Sequence, residues 1–100
     1  MKEELLGTNG QLMAMAALRY CLPRHSYIVG ACVEWVKDHW EKFVPNTKKV
    51  MLRDINEHLH EKHTWDHFPS DAEVWQNLFV WGMNTFSPEE KEWVEKQTIK

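Results

Sequence analysis

The chain is predicted to be an all-α protein, a compact bundle of about five helices with no sheet. Apolar residues recur at spacings of three and four along most of the sequence, which is the period of an amphipathic helix. No alternating apolar–polar run of any length appears, so strands are not expected. One hundred residues suffice for one domain. We therefore expect a single helical domain over 1–100, with a frayed start at 1–8.

The first helix is predicted over 9–22. Thr8 or Asn9 provides an N-cap, and Pro23 ends the helix because the residue before a proline disfavours helical backbone angles. Four residues at helical spacing form its expected apolar stripe: Met13, Ala16, Ala17 and Tyr20.

The second helix is predicted over 25–43. Six apolar residues recur at helical spacing and form its expected buried stripe: Val29, Cys32, Val33, Val36, Trp40 and Phe43. Gly30 weakens the helix, and close approach of another helix is the expected reason for it.

Three more helices complete the predicted bundle. The third begins at Asn46 or Thr47 and runs to about 62, with an inner row formed by Met51, Ile55 and Leu59. The fourth covers about 71–83 and the fifth 88–98. Each of the last two follows a Ser-x-x-Glu capping box, Ser70–Glu73 and Ser87–Glu90 respectively.

Composition narrows the classes of function. The net charge of −3 argues against an obligatory nucleic-acid partner. No signal peptide or apolar stretch of membrane-spanning length appears, so we expect a soluble, cytoplasmic protein. Cys21 and Cys32 are then expected to be reduced, and a disulfide between them is the alternative. The six tryptophans are expected to fill the core, unless one or two are exposed as interface anchors.

The sequence does not predict an enzyme or a cofactor. It contains no Gly-rich phosphate loop, nucleophile elbow or H-E-x-x-H motif. Ser26 and His25 are adjacent, and neighbouring residues on a helix diverge by about 100°. They therefore do not form a nucleophile–base pair.

A histidine cluster between the third and fourth helices offers a metal-binding alternative. His63 and His67 have the i,i+4 spacing of metal-binding helices, and His60 could be a third ligand. The pair lies in a polar connection where helical geometry is not assured. The favourable placement of His58 and His63 near a helix C-terminus explains the cluster more simply, so no metal site is predicted. A metal-dependent enzyme using the His58–His67 cluster is the second alternative function.

A small basic face gives a different alternative. Lys48, Lys49 and Arg53 lie at the start of the third helix, where they could contact nucleic acid. Asp54 and Glu57 interrupt the row, so a nucleic-acid-associated accessory protein is the first alternative and not the preferred reading.

The turn between the first two helices carries the densest set of interface-type side chains. It consists of Arg19, Tyr20, Arg24, His25 and Tyr27. Arginine and tyrosine are enriched in protein interfaces, so this corner is the predicted partner-binding site. In the competing structural interpretation, Arg24 pairs with Asp54, and Tyr27 closes over the first helix.

Two motifs in the chain resemble a loose group of small phage, prophage and plasmid-encoded proteins of unassigned function. That group has an L-R-Y-x-L-x-R-x-[ST]-Y opening and a later [IV]-x-R-[DE]-[IL]-x-E segment, which here read LRYCLPRHSY and MLRDINE. Trp35 and Trp40 lie between them, and Pro23 replaces a common glycine. The resemblance covers about residues 18–80 and implies a mobile-element origin without assigning catalytic residues.

These observations together favour a mobile-element-encoded accessory protein that acts by protein–protein contact. Its sharpest version is an inhibitor of a host defence nuclease, similar in role to anti-CRISPR proteins. The expected partner is a host or phage protein. A homodimer is a further expectation, and no membrane partner is expected.

Overall fold

The predicted all-α bundle is confirmed by a computed structural model, which describes residues 5–24, 27–61 and 69–98. Five α-helices and one short 3₁₀ helix make up these residues, which contain no strand. Their bounds are α1 Thr8–Cys21, α2 Tyr27–His39, the 3₁₀ helix Trp40–Lys42, α3 Pro45–Leu59, α4 Pro69–Met83 and α5 Pro88–Thr98. Helix α3 contacts α1, α4 and α5, so it is the central helix of the bundle. None of the described helices combines the length and the apolar character needed to cross a membrane.

Helix α1 buries a different face from the one predicted. Its buried residues are Gln11, Ala14 and Leu18. The expected stripe is exposed at Met13, Ala16, Ala17 and Tyr20. Apolar residues occupy most of α1, so their spacing alone did not identify the side that meets the bundle.

The start of α1 is fixed by a glutamine and not by a side-chain cap. Gly7 is the N-cap residue, without a side-chain cap hydrogen bond, so the Thr8 or Asn9 cap was wrong. The Gln11 amide nitrogen donates to the carbonyl oxygens of Leu6 and Lys42, each at 3.0 Å. Its amide oxygen accepts the Val44 N–H at 3.2 Å. Gln11 therefore joins the start of α1 to the segment that connects α2 with α3.

The buried stripe of α2 is confirmed at every predicted position. Val29, Cys32, Val33 and Val36 are buried along the α-helix, and Trp40 and Phe43 continue the row beyond it. The α-helix ends at His39 and tightens into the 3₁₀ turn. Gly30 is exposed, and a Cβ atom there would meet nothing within 4 Å, so no other helix of the described chain approaches it.

The central helix begins with a proline. Pro45 is its first residue and Val44 its N-cap, so neither Asn46 nor Thr47 caps it. Proline suits this position because its missing N–H would have no helical partner. The predicted inner row is confirmed at Met51 and Ile55, which are fully buried, whereas Leu59 is half-buried and packs at the edge of the core.

Helices α4 and α5 close the core from the other side of α3. A Cβ atom on Gly82 of α4 would lie 2.8 Å from the Leu52 Cδ2 atom, so this glycine permits the close approach of α4 to α3. Trp40 makes edge contacts with the rings of Phe43 and Trp81, and its indole N–H donates to the Thr85 hydroxyl at 3.2 Å.

The two predicted capping boxes have different outcomes. The Ser87 N–H donates to the Glu90 carboxylate at 3.0 Å, and the Glu90 N–H donates to the Ser87 hydroxyl at 3.4 Å, so the box at α5 is confirmed. Helix α4 already begins at Pro69, which places Ser70 inside the helix and not at its cap.

Candidate protein-interaction surface

The corner between α1 and α2 places its aromatic residues in solvent. Tyr20 is 62% exposed and Tyr27 is 84% exposed. The Arg24 guanidinium lies 4.0 Å from the centre of the Tyr20 ring, a cation–π contact within the chain. Tyr27 does not close over α1, so that part of the structural interpretation was wrong. His25 and Ser26 lie outside the described residues.

Arg19 belongs to a different surface from the tyrosines. Its Nε atom is 3.9 Å from the Asp54 Oδ2 atom, and the Arg53 guanidinium is 3.3 Å from Asp54 Oδ1. Asp54 is therefore paired with Arg19 and Arg53, not with Arg24 as the structural interpretation expected. Among the predicted partner-binding residues that the structure describes, Arg19 lies beside Asp54, whereas Arg24 packs on Tyr20.

An apolar groove lies between α1 and α2 beside the exposed tyrosines. It has a volume of about 420 Å³. Helix α1 contributes Ala17 and Cys21, and α2 contributes a second row of residues to its lining: Tyr27, Ile28, Ala31, Cys32 and Trp35. Apart from the Tyr27 hydroxyl, the Trp35 indole N–H and the two thiols, these lining side chains are apolar. We call this groove, together with Met13 and Tyr20 on its α1 side, the α1–α2 face.

Sequence reasoning named Tyr27 but missed the rest of the α2 part of this face. Tyr27, Ile28, Ala31 and Trp35 follow one another at spacings of one, three and four, so they form a second apolar row beside the buried one. A helix with two apolar rows has more apolar surface than one buried side requires. That second row, beside the longer buried stripe, is the sequence signal for an exposed apolar face on α2.

Trp35 is held in place on one side and exposed on the other. Its ring stacks on the His39 ring with centroids 4.6 Å apart and lies 5.9 Å from the Phe43 ring. The side chain remains 37% exposed and lines the groove. Trp40 and Trp75, by contrast, are buried, while Trp65 lies outside the described residues. The described tryptophans therefore include both buried core residues and one that is partly exposed.

The two cysteines are free thiols at the floor of the groove. Cys32 is buried and Cys21 is half-buried. Burial, followed by the hydrogen bond and the charge interaction with Cys21, raises the pKa of Cys32 to about 12. The Cys32 thiol is therefore protonated at neutral pH and is a poor nucleophile.

The predicted basic face is folded onto neighbouring aromatic rings. The Lys48 ammonium lies 5.5 Å from the Trp40 ring centre, and the Lys49 ammonium lies 5.3 Å from that of Trp93. Arg53 is paired with Asp54. All three side chains are half-buried, so they present less free positive charge than their sequence spacing indicates.

The histidines of the proposed metal cluster are only partly described. His58 is buried, and its Nδ1 atom is 3.6 Å from a Glu61 carboxylate oxygen. The His60 Nδ1 atom is 2.7 Å from the Asn56 carbonyl oxygen. His63 and His67 lie outside the described residues. Within 5–24, 27–61 and 69–98, no three His, Cys, Asp or Glu side chains form a group that could hold a metal ion.

A second, polar cavity of about 300 Å³ lies on the opposite side of the end of α1. Arg19, Leu22 and Pro23 line one wall, and α3 with the segment after it supplies the others: Asp54, Glu57, His58 and Glu61. Asp54 is 8% exposed, and its Oδ2 atom accepts no hydrogen bond within the part of the chain that the structure describes. The nearby Arg19 offsets this buried charge only weakly, because its own side chain is 71% exposed.

Comparison with known proteins finds no relative. No protein-family model, curated protein or solved structure matches the chain.

Proposed function

We propose that the protein acts by protein–protein contact and that the α1–α2 face is the surface it uses. The observation that carries this proposal is the exposure of Tyr20, Tyr27 and Trp35 around one apolar groove. Tyrosine and tryptophan are enriched at the energetic centres of interfaces because they cover large areas with few rotatable bonds. A helical domain gains no stability from leaving such side chains in water.

The size of the face supports the same role. With about 200 Å² for each aromatic side chain, the exposed fractions of 62%, 84% and 37% amount to roughly 350 Å². Met13 is 71% exposed and Ile28 36% exposed, and both add to the apolar area. Patches of a few hundred Å² are the largest that monomeric proteins usually show, and they often mark binding sites.

The resemblance to mobile-element proteins supplies the biological setting of the proposal. A small helical protein from such an element acts on larger machinery of its host or its phage through contact. Inhibition of a host defence nuclease is the specific version that we propose, and it rests on the resemblance and on the α1–α2 face. It requires neither a catalytic residue nor a cofactor from this chain.

Affinity capture from a bacterial host lysate tests the proposal when wild-type protein is compared with surface variants. Tyr20→Ser and Tyr27→Ser remove exposed rings without opening the core, whereas Gln76→Ser changes an exposed residue of α4 and is the matched control. We expect a partner that wild type and the control retain and both tyrosine variants lose. Direct binding of that purified partner must show the same loss. Equal capture by all four proteins would contradict the proposal.

The nucleic-acid alternative has weaker support, because Lys48 and Lys49 lie against tryptophan rings and Arg53 against Asp54. Its test is duplex binding over a salt series, since affinity from phosphate contacts falls steeply with added salt. Absence of binding at low salt would eliminate it.

A further inference from the structure

We propose that the α1–α2 face binds a second copy of this chain, with the two α2 helices packed antiparallel about a two-fold axis at Ala31. This inference rests on the proposed function, because it concerns the same face and adds a second copy of the chain to the proteins that the face contacts. Four features of the described residues support it: the placement of the aromatic rings, the shape of the groove, the distribution of charge and the available area.

The aromatic residues of α2 are placed symmetrically about Ala31. Tyr27 lies four residues before it and Trp35 four residues after it, about one helical turn in each direction, and all three are exposed. In an antiparallel pair, Tyr27 of one copy therefore lies opposite Trp35 of the second copy. The two-fold axis produces this contact twice, and each aromatic pair contributes beyond the area it buries.

The face also supplies both a projecting side chain and a depression. Tyr27 is 84% exposed, while the groove beside it keeps a volume of about 420 Å³ because Ala17 and Ala31 are small. In a two-fold interface the same patch is used by both copies, so a ring on each must fit a hollow on the other. A face with only rings or only a groove would not meet this condition.

Charged residues favour the antiparallel direction. Arg24 precedes α2 by three residues, whereas Glu34 and Asp38 are exposed in its second half. Arg24 lies just before the N-terminal end of α2 and Asp38 lies in its last turn, so antiparallel packing brings the end that carries Arg24 in one copy towards the end that carries Asp38 in the other. Parallel packing would place Asp38 against Asp38. Antiparallel helices also align opposite ends of their dipoles.

The available area indicates a dimer that dissociates on dilution. Stable interfaces bury about 800 Å² on each partner. The aromatic side chains offer roughly 350 Å² of exposed area, and Met13, Ile28 and the groove lining add aliphatic surface. The sum is at the low end of the range for specific complexes, so we expect the oligomeric state to depend on protein concentration.

Sedimentation equilibrium with an Ala31→Arg variant tests the interface directly. Ala31 is exposed, so arginine there leaves the core intact but places two like charges at the proposed axis. We expect wild type and a Gln76→Arg control to approach twice the 12.0 kDa chain mass at high concentration. The Ala31→Arg protein should remain at 12.0 kDa with an unchanged circular dichroism spectrum, and its melting temperature should equal that of the wild type at concentrations where the wild type is monomeric.

A charge exchange tests the direction of packing. Arg24→Asp and Asp38→Arg should each raise the dimer dissociation constant about tenfold, because each acts at two symmetry-related pairs. The double variant R24D/D38R should recover most of the wild-type affinity. Recovery of dimer affinity in the double variant, relative to either single variant, cannot result from damage to the fold.

Two results would overturn the inference. One is a wild-type protein that remains monomeric at every accessible concentration, and the other is a dimer that Ala31→Arg leaves intact. Neither result bears on the capture experiment, which tests whether Tyr20 and Tyr27 bind any protein. Failure of the second copy as the partner can therefore be distinguished from failure of the proposed protein-contact role.

Discussion

Replacement of Gln11 by leucine tests how α1 is held against the bundle. Gln11 is 7% exposed and makes three hydrogen bonds with backbone groups of Leu6, Lys42 and Val44. Leucine has nearly the same volume but can neither donate nor accept. The variant therefore removes the polar contacts without opening a large cavity.

The expected loss follows from the number of bonds. An intramolecular hydrogen bond contributes about 1 kcal/mol net, and a buried group left unpaired costs more. Three bonds then correspond to about 3 kcal/mol, reduced by roughly 1 kcal/mol of added apolar burial. A net loss of about 2 kcal/mol lowers the melting temperature of a domain this size by roughly 8–16 °C.

Urea denaturation followed by circular dichroism measures this loss, with Gln76→Leu as the control because that glutamine is exposed on α4. We expect the control to change the free energy of unfolding by less than about 0.5 kcal/mol. If Gln11→Leu changed it as little as the control does, the three bonds would not hold α1, and the proposed link to the α2–α3 connection would be wrong.

Three other expectations concern single positions. Gly30→Ala should stabilise the protein by about 1 kcal/mol because its added Cβ meets open space. Gly82→Ala should destabilise it because the Cβ would lie 2.8 Å from a buried leucine methyl. In urea denaturation, the free energy of unfolding should therefore change in opposite directions for the two variants. Because the pKa of Cys32 is raised, its thiol loses a proton at lower pH in the unfolded chain than in the folded one. The free energy of unfolding should therefore fall as pH rises from 9.0 to about 12. Thermal melts of a Cys32→Ala variant should show less of this alkaline loss. Arg24→Ala should cost about 0.5 kcal/mol or less, because its described contact is with an exposed tyrosine ring; a large drop in melting temperature would instead make Arg24 structural.

The second and third helices could be predicted well from sequence because each has one long apolar row. The stripe from Val29 to Phe43 continues through the change from α-helix to 3₁₀ turn, since every member faces the same core. Helix ends were less predictable. The starts at Thr8 and Pro45 depend on tertiary contacts and on proline, and the two candidate caps at each start were not used.

The candidate site could be predicted only in part. Tyr20 and Tyr27 are exposed where the sequence suggested a binding corner, but Arg19 points to Asp54 across the end of α1. Arg19 and Tyr20 are adjacent in sequence, but they lie on different sides of α1 because neighbouring helical residues are about 100° apart around the axis. Trp35 was expected either to fill the core with the other tryptophans or to be exposed as an interface anchor, and it is 37% exposed beside the groove.

The orientation of α1 links its polar attachment to the exposed α1–α2 face. Because Met13, Ala17 and Tyr20 face outward, α1 buries only a narrow row and is joined to the segment between α2 and α3 by Gln11 near its start. A helix attached in this way is stabilised when a partner covers its outer side. Any molecule that binds only the folded state adds stability in proportion to the logarithm of its concentration above the dissociation constant. If that molecule is a second copy, the melting temperature of the wild type should rise with protein concentration, while that of Ala31→Arg should not. If the melting temperature did not depend on protein concentration in either protein, a second copy would not be what covers the outer side of α1.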